Sequence, residues 1–381
     1  MDSENLKNIL KTHAGRYPEA RPRDAVKLIY QNEFGGGHLI RDSAASFAAL
    51  SQEYQEYNAN KYTRDNIKNI KFEEIGNGVV RVYLSGIAKN ITDESDRPDA
   101  YTLEKLNQDF IQSAKIHTGT RENFLRKLEI LRELTGENIF HFHLSELDEY
   151  LTRYAAAGYP AVSHSDIYRA AYHPAYRIID RKISLPLFIR QIWDLENKSK
   201  KNKSQSVILI AIDGCCASGK TTLAEKLSGY YGWSVVHLDD FFLRPSQRTP
   251  ERYEEPGGNL DRERVLKEIL IPLKSRELYQ NPAISYRPFD CHAMRLKDPV
   301  LLKLSHVILI EGSYACHPAL YDFYNLRVFL TIDQETQKTR IKRRNDPETA
   351  ENFFNRWIPL EERYFSAFSI PKQCDYAINN N

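Results

Sequence analysis

Four short, mostly apolar segments rich in β-branched residues mark the second half of the chain, at positions 207–212, 234–238, 306–310 and 327–332. Helical candidates lie between them, at 220–230, 261–273 and 334–344. Continuous β-branched runs are typical of strands that are covered on both faces. The alternation of strand and helix therefore predicts an α/β domain with a doubly wound parallel sheet, in which ligands bind beyond the carboxyl ends of the strands.

A polar, cationic stretch at 197–206 contains no apolar residue and suits a solvated linker. At roughly 150 residues per domain, a chain of 381 residues is long enough for two domains. All five cysteines lie at or after Cys215, which also separates two halves. We therefore expect a mostly helical (α+β) domain over 1–197, a linker over 198–206 and the α/β domain over 207–381.

Composition and charge exclude several classes of protein. Hydrophobic residues make up 41% and charged residues 27%, as in globular proteins, and 53 basic against 51 acidic residues leave a net charge of +2. No apolar run approaches the roughly 20 residues of a transmembrane helix, and we expect neither a signal peptide nor a basic surface for nucleic acid. An odd cysteine count without a CxxC pair argues against a disulfide framework and a zinc site. We expect a cytoplasmic protein without membrane or nucleic-acid partners, and a homo-oligomer is compatible with this composition.

The segment from Gly214 to Thr221 matches the phosphate-loop pattern G-x-x-x-x-G-K-[ST] in full, directly after a predicted strand and before a predicted helix. The backbone N–H groups of such a turn cradle phosphate, and its glycines allow the dihedrals and the close approach that a Cβ would prevent. Lys220 supplies charge to the β- and γ-phosphates, and the Thr221 hydroxyl suits Mg²⁺. We expect ATP with Mg²⁺ to be bound by Gly214, Ala217, Ser218, Gly219, Lys220, Thr221 and Thr222.

Charged residues follow the later predicted strands. Asp239 comes after the second strand, where it could accept a proton from an acceptor hydroxyl, or merely cap a turn. Glu311 ends the third strand and suits Mg²⁺ through its water shell. Arg340 and Arg344 are four residues apart and share a face if they are helical, so they could grip a transferring phosphoryl group; a solvated charged face is the alternative.

The order of these motifs resembles a known family. GCCASGKTT, HLDDFF, EEPGGNLD, YRPFDC, ILIEGSY and TRIKRR follow one another between about 206 and 381 as in the uridine kinase, phosphoribulokinase and pantothenate kinase group of P-loop small-molecule kinases. By this resemblance, the catalytic base would be Asp239, the phosphate clamp Lys220, the magnesium residues Thr221 and Glu311, the ribose-binding carboxylate Asp261, and the lid arginines Arg340 and Arg344.

The segment that would recognise the acceptor departs from the uridine kinase pattern. Uridine kinases have an aromatic residue, an aspartate and, a few residues on, a histidine there. This chain has Phe289-Asp-Cys-His292, with Met294 where the histidine would come. The acceptor therefore stays open at this point, and the candidate acceptor contacts are Tyr286, Arg287, Asp290 and His292.

Residues 1–197 resemble no family, but three clusters stand out. A glycine-rich turn at 32–38 could approach an anion or simply connect two elements. Residues 74–83 read as a turn into a strand that carries Arg81. At 158–177, Tyr168, Tyr172 and Tyr176 are spaced by four beside a similar series of cations, which indicates either core packing or an anion pocket on a helix that Pro174 should kink or end.

The leading hypothesis is an ATP- and Mg²⁺-dependent kinase that phosphorylates a hydroxyl of a nucleoside or sugar-like small molecule, with Asp239, Lys220, Arg340 and Arg344 as the catalytic residues. One alternative is a nucleotide-driven ATPase or switch that regulates the N-terminal domain. Another is a bifunctional enzyme whose N-terminal domain processes the same metabolite.

Overall fold

The computed structural model describes residues 3–36, 42–59, 71–87, 98, 100–201, 207–275, 283–291 and 293–380. The chain forms two compact units, Met1–Ser184 and Leu185–Asn381. Within the described ranges, no helix combines the length and the apolar character needed to cross a bilayer.

The N-terminal unit is mostly helical with a small sheet, as predicted. Its helices span Ser3–Arg16, Pro22–Phe34, Ser43–Ala59, Leu103–Ile116, Arg121–Gly136, Leu144–Ala156 and Asp166–Tyr172. Its strands are β1 (Phe72–Gly76), β2 (Val79–Tyr83) and β3 (Tyr176–Asp180), which pair antiparallel in the order β1-β2-β3. The β1–β2 hairpin is the turn and strand that the sequence indicated at 74–83.

The core of this unit forms where apolar residues recur at helical spacing. Leu6 and Leu10 are one turn apart on helix Ser3–Arg16 and are buried with Ile29, Phe124 and Leu131. Each such side chain contributes roughly 1.5–3 kcal/mol when it leaves water. The core therefore holds the first helix against the unit's other helices and against β1.

The tyrosine series at 158–177 does not form one continuous stripe. Helix Asp166–Tyr172 ends at His173, whose φ of 43° is left-handed, and Pro174 follows before β3 begins. Tyr168 is buried in a small aromatic cluster, which is the packing alternative, whereas Tyr176 lies on a strand. The helix thus ends before Pro174, one of the two outcomes that the sequence predicted, because proline lacks the N–H that the helix would need. In the glycine-rich cluster at 32–38, Gly35 and Gly36 end helix Pro22–Phe34, while Gly37 and His38 lie outside the described residues.

The C-terminal unit has the predicted α/β class. Its helical segments are Leu185–Lys201, Lys220–Tyr231, Pro250–Glu254, Arg262–Arg264, Ile271–Ser275, Gln334–Arg344, Pro347–Asn352, Ile358–Phe368 and Ile370–Gln373, with π-helical turns at Val265–Leu270 and Phe353–Trp357. Its strands are β4 (Ile208–Gly214), β5 (Ser234–His237), β6 (Ala283–Tyr286), β7 (Phe289–Asp290), β8 (Arg295–Leu296), β9 (Val300–Lys303), β10 (Val307–Glu311), β11 (Leu326–Thr331) and β12 (Tyr376–Asn379).

Five of these strands form a parallel sheet in the order β12-β11-β4-β10-β5. Strand β4 lies at its centre and is buried along its whole length. The register pairs Gly214 with Leu330 and Glu311 with His237, so the carboxyl ends of four strands meet at one edge. The four predicted strands are confirmed, and β12 is a fifth that the sequence reasoning did not identify.

The boundary between the units differs from the predicted one. Helix Leu185–Lys201, which was placed partly in the first domain and partly in the linker, belongs to the second unit. Its apolar face is buried there: the Phe188 ring lies 5.2 Å from that of Tyr376, whose hydroxyl donates to Gln191 at 2.7 Å. Composition marked the polar end of this helix but not the apolar face that decides where it packs. Residues 202–206 of the predicted linker lie outside the described residues.

Candidate functional site

A phosphate loop connects β4 to helix Lys220–Tyr231 at the centre of the sheet edge. Gly214, Ala217 and Gly219 all have left-handed φ angles, of 144°, 59° and 88°. A Cβ on Gly214 would lie 2.2 Å from the Leu330 carbonyl oxygen of the neighbouring strand, so only glycine fits there. The motif therefore adopts the turn that its glycines predict, followed directly by a helix N-terminus.

Side chains of the loop and of its helix are held within the turn. The Lys220 Nζ donates to the carbonyl oxygens of Gly214 and Cys215, at 2.8 and 3.0 Å. The Ser218 hydroxyl oxygen is buried and has no hydrogen-bond partner among the residues that the structure describes. Thr221 and Thr222 follow on the first turn of the helix, so the seven predicted loop residues lie together.

Two buried acids accept hydrogen bonds from backbone N–H groups of the loop, and the sequence analysis did not identify either of them. Asp213 accepts the backbone N–H of Gly214 at 2.7 Å and the Tyr364 hydroxyl at 2.8 Å. Glu361 accepts the N–H of Cys216 at 2.8 Å. Burial raises the pKa of Glu361, while the nearby Lys220 charge opposes the shift. The position of Asp213 directly before the motif was a signal for its role, but Glu361 lies far along the chain.

The ends of β10 and β5 bring oxygen ligands beside the loop. The Thr221 hydroxyl lies 3.2 and 3.3 Å from the two carboxylate oxygens of Glu311, which is buried. His237 Nδ1 contacts Glu311 Oε1 at 2.5 Å, and this hydrogen bond raises the pKa of His237. A hydroxyl and a carboxylate suit Mg²⁺, which keeps several waters and shares phosphate oxygens. In the described ranges, no group of three or more His, Cys, Asp or Glu side chains is placed to hold a metal ion.

Asp239 lies just beyond the end of β5, in the same electrostatic environment as Lys220 and Glu311. Its side chain keeps access to solvent. Nevertheless, desolvation by the surrounding protein and the negative charge of Glu311 raise the pKa of its carboxyl group. The positive charges of Lys220 and His237 oppose that shift. The structure thus brings the three predicted groups of separate strands to one edge.

Helix Gln334–Arg344 presents one face to the phosphate loop. Arg340 Nη1 donates to the Ala217 carbonyl oxygen at 3.3 Å, and Arg344 Nη2 lies 3.4 Å from the Cys216 sulfur. Gln337, about one turn before Arg340 on this face, donates to the Cys216 carbonyl oxygen at 2.9 Å. The spacing of four residues therefore places both arginines on the helix face that contacts the loop.

Asp261 is the most buried acid on the predicted acceptor side, with no exposed surface. Its Oδ1 accepts the backbone N–H of Arg264 at 3.2 Å and caps the short helix that follows. Its Oδ2 is buried without a hydrogen-bond partner in the described part of the chain, and Arg244 Nε lies 3.7 Å away. A buried carboxylate oxygen that accepts no hydrogen bond is costly, and the hydroxyl of a bound molecule would supply one.

The remaining acceptor candidates have different partners. Tyr286 donates its hydroxyl to Asp240 Oδ2 at 3.0 Å. Asp290 accepts the N–H of Ala293 at 2.9 Å. The Arg287 guanidinium donates to the Lys297 carbonyl oxygen at 2.9 Å, so its contact is within the local hairpin. His292 lies outside the described residues.

Arg264 organises this side of the site and was not a sequence candidate. It donates to the backbone carbonyl oxygens of Asp240 and Arg287, at 3.1 and 2.7 Å, and its guanidinium stacks 4.7 Å from the Phe241 ring centre. These contacts tie the segment after β5 to the segment after β6. Nothing in the local pattern of a helical arginine distinguishes it from a surface residue.

Comparisons with known proteins found relatives of part of the chain. No family model matches the chain. A stretch of 145 residues, 38% of this chain, is 28% identical to uridine-cytidine kinase C of Dictyostelium discoideum and spans 30% of that protein's length. The C-terminal unit is thus similar in sequence to a kinase of the family that its motifs resemble.

Solved structures of kinases also align with about half of the chain. One is a Bacillus stearothermophilus protein described as a possible uridine kinase, with 23% identity and a TM-score of 0.36, covering 50% of this chain and 98% of that one. Another is a shikimate kinase from Bacteroides thetaiotaomicron, with 16% identity and a TM-score of 0.24, covering 45% of this chain and 86% of that one. At such scores, these superpositions add nothing to the fold described above.

Proposed function

We propose that the C-terminal unit transfers the γ-phosphoryl group of ATP, with Mg²⁺, to a hydroxyl of a nucleoside or another sugar-like acceptor. The observation that carries the proposal is the meeting, at one sheet edge, of the phosphate loop, the Thr221–Glu311 pair and Asp239. A phosphoryl-transfer site needs positioned charges more than covalent chemistry, and this edge supplies them.

The ATP side consists of the loop and its cations. The phosphates would accept hydrogen bonds from the N–H groups of the loop. Lys220 Nζ, which now donates to the carbonyl oxygens of Gly214 and Cys215, would donate to phosphate oxygens instead. Thr221 and Glu311 would hold Mg²⁺ together with water and phosphate. When bound, the ion neutralises charge on the phosphate oxygens.

Asp239 would act as the general base. As the acceptor oxygen bonds to the γ-phosphorus, the bond from that phosphorus to the ADP oxygen breaks, and the hydroxyl proton passes to the Asp239 carboxylate. A raised pKa makes this carboxylate a better proton acceptor than an ordinary aspartate. Arg340 and Arg344, which contact the loop, would neutralise the phosphoryl group in flight.

The choice of acceptor rests on Asp261 and on the sequence comparison. The buried, unpaired Oδ2 of Asp261 would accept a hydrogen bond from an acceptor hydroxyl. Tyr286, Arg287, Asp290 and His292 remain the proposed acceptor contacts. The name of the matching Dictyostelium kinase supports uridine or cytidine as the first acceptors to test.

The test is ADP release by the purified full-length chain in the presence of ATP, Mg²⁺ and a panel of nucleosides, sugars and pantothenate-like alcohols. We expect ADP release that depends on one acceptor class, with a phosphorylated product visible by mass spectrometry. Lys220→Ala should abolish it. Acceptor-independent ATP hydrolysis across the panel would overturn the proposal and favour the nucleotide-driven switch.

A further inference from the structure

A pocket of about 340 Å³ opens in the N-terminal unit between helix Ser3–Arg16 and β1. This volume is in the range of small-molecule sites. Its buried lining includes His13, Leu28, Glu73 and Ile75, while Thr12 and Arg16 lie at its exposed rim. The kinase chemistry proposed above uses none of these residues.

His13 is the first sign that the pocket is built for a ligand. The residue is only 2% exposed, yet both ring nitrogens lack a hydrogen-bond partner among the described residues. Burial, reinforced by the charge of Arg81, lowers the pKa of His13 to about 3, so the ring is neutral at physiological pH. A neutral imidazole offers one donor and one acceptor. Leaving both buried and unpaired is costly, whereas hydroxyl groups of a bound molecule would satisfy both.

The ring of His13 is held in place by aromatic neighbours. Tyr17 lies 4.6 Å from it, and Tyr168 stacks at 6.2 Å with an interplanar angle of 9°. The Tyr168 hydroxyl is itself buried without a hydrogen-bond partner in the described ranges. Buried polar groups without hydrogen-bond partners in the described ranges therefore lie on two neighbouring rings, which packing fixes in orientation.

Glu73 contributes a fixed carboxylate to the same lining. Its Oε2 accepts hydrogen bonds from the Arg81 guanidinium at 3.0 Å and from the Tyr83 hydroxyl at 2.8 Å. Its Oε1 accepts a hydrogen bond from the Arg16 guanidinium at 3.2 Å. Burial alone would raise the pKa of Glu73, but the charge of Arg81 and these hydrogen bonds lower it. The carboxylate is thus ionised, and its free lone pairs can accept from a ligand.

Burying the charged Arg81 side chain beside Glu73 costs desolvation free energy. It is fully buried, and its Nε and Nη2 donate to Gln31 Oε1 at 3.0 and 2.6 Å. A buried ion pair contributes less to stability than apolar side chains of the same volume often do. Its presence next to a pocket therefore favours a binding role, in which it fixes the orientation of Glu73.

The rest of the lining selects the ligand class. Leu28 and Ile75 give the pocket an apolar wall that suits the carbon face of a ring. The ionised Glu73 disfavours an anionic group at the floor, and the neutral His13 provides no charge to attract one. The rim cation Arg16 already pairs with Glu73 Oε1 at 3.2 Å. Hydroxyl groups, which donate and accept, match both polar residues.

We infer that the N-terminal unit has its own binding site, between helix Ser3–Arg16 and β1, for a small uncharged ring compound that presents hydroxyl groups to His13 and Glu73. Sugars and nucleosides are the class that fits. This site is independent of the proposed kinase site, and it stands whether or not the C-terminal unit transfers phosphate.

The test uses the full-length chain and saturation-transfer difference NMR with ribose, glucose, uridine and cytidine. Thr12→Trp fills the pocket mouth from an exposed position, and Lys11→Trp makes the same change at the preceding exposed residue, which does not line the pocket. Both are measured with Asp261→Asn as background, which weakens the kinase acceptor site. We expect one compound to bind Lys11→Trp, and to bind Thr12→Trp at least about tenfold more weakly.

A second measurement does not depend on the folding of the tryptophan variants. In the chain with ¹³C-labelled histidine, the His13 Cε1 proton signal, assigned by its loss in His13→Gln, should shift when that compound is added. Uridine monophosphate should shift it less at equal concentration. The inference is overturned by no binding up to about 10 mM, by equal binding to the two tryptophan variants, by an unmoved His13 signal, or by tighter binding of the monophosphate.

Discussion

The carboxylate of Glu361 accepts a hydrogen bond from the backbone N–H of Cys216, inside the phosphate loop, at 2.8 Å. Its other oxygen accepts the Ser313 hydroxyl at 2.5 Å, and the residue is only 5% exposed. A side chain from near the C-terminus therefore helps to set the shape of the loop. Because Glu361 binds both Cys216 and Ser313, its side chain links the loop to the segment that follows β10.

Glu361→Gln should weaken ATP binding. Glutamine offers one carbonyl oxygen where two donors now meet a carboxylate, and a buried donor left unpaired costs about 1–3 kcal/mol. We expect the Kd for ATP, measured by calorimetry, to rise about tenfold. The exposed neighbour Glu362 provides the matched control, Glu362→Gln, which should bind ATP as the wild type does. Equal affinities of the two variants would show that the contact has no part in shaping the loop.

Asp239→Asn should lower kcat by about 10²–10⁴ while ATP still binds, because an amide cannot accept the hydroxyl proton. A base acts only when deprotonated, and the pKa of Asp239 is raised. The acid limb of the wild-type kcat/KM profile should therefore lie above the value of 3.8 for an ordinary aspartate, with activity falling as the pH drops through that limb. A variant with undiminished kcat would eliminate Asp239 as the base.

Arg340→Ala and Arg344→Ala should each lower kcat by roughly 10- to 1,000-fold, since both side chains contact the phosphate loop. Arg343→Ala, on the same helix turn, removes an exposed cation and serves as the control. Steady-state kinetics with the acceptor found above would measure all three. If Arg343→Ala lost as much activity, net helix charge rather than contact would explain the effect.

Asp261→Asn should raise the KM for the acceptor by about tenfold and leave the KM for ATP unchanged, because only the acceptor would meet its unpaired Oδ2. Asp290→Asn tests the neighbouring candidate in the same assay. A parallel rise in both KM values for Asp261→Asn would point to a structural role in capping its helix instead.

His13 should make the N-terminal unit sensitive to acid. Its pKa is lowered from 6.5 to about 3, so below pH 6.5 the unfolded chain binds a proton that the folded chain does not. Stability is therefore lost as the pH falls from 6.5 towards 3, by about 2 kcal/mol at pH 5 for this residue. Hydrogen exchange of the amides in helix Ser3–Arg16, at pH 7 and pH 5, would measure this loss. His13→Gln should shrink the difference, whereas the exposed His141→Gln should not.

Local patterns were enough to predict four strands of the parallel sheet, the phosphate loop and the charged residues that follow the strands. The apolar runs at 207–212 and 306–310 exceed what a surface segment could expose, so they had to become buried strands, β4 and β10. Gly214 and Gly219 allow the left-handed turn that the loop needs. Because parallel strands end at a common edge, residues that follow different strands come together without any knowledge of distant contacts.

Local sequence patterns did not predict the features of the structure that depend on packing between distant segments. The apolar face of helix Leu185–Lys201 was compatible with either unit, and its contact with Tyr376 settled the boundary. Strand β12 has no continuous β-branched run to mark it in the sequence, and its pairing with β11 is what makes it a strand of the sheet. Arg264 gained its role only through carbonyl groups that two other segments bring to it.

The sequence by itself determined the α/β class of the second unit, the phosphate loop and which charged residues meet at the sheet edge. These features depend on the pattern of hydrophobic residues, the conformation of glycines and the direction of the strands, which are local properties of the chain. Only the tertiary structure decided that Glu361 supports the loop from below, and that His13 and Glu73 meet at a pocket of the first unit. The free energy of a buried polar group depends on partners that are far away in the sequence, so no local pattern can predict it.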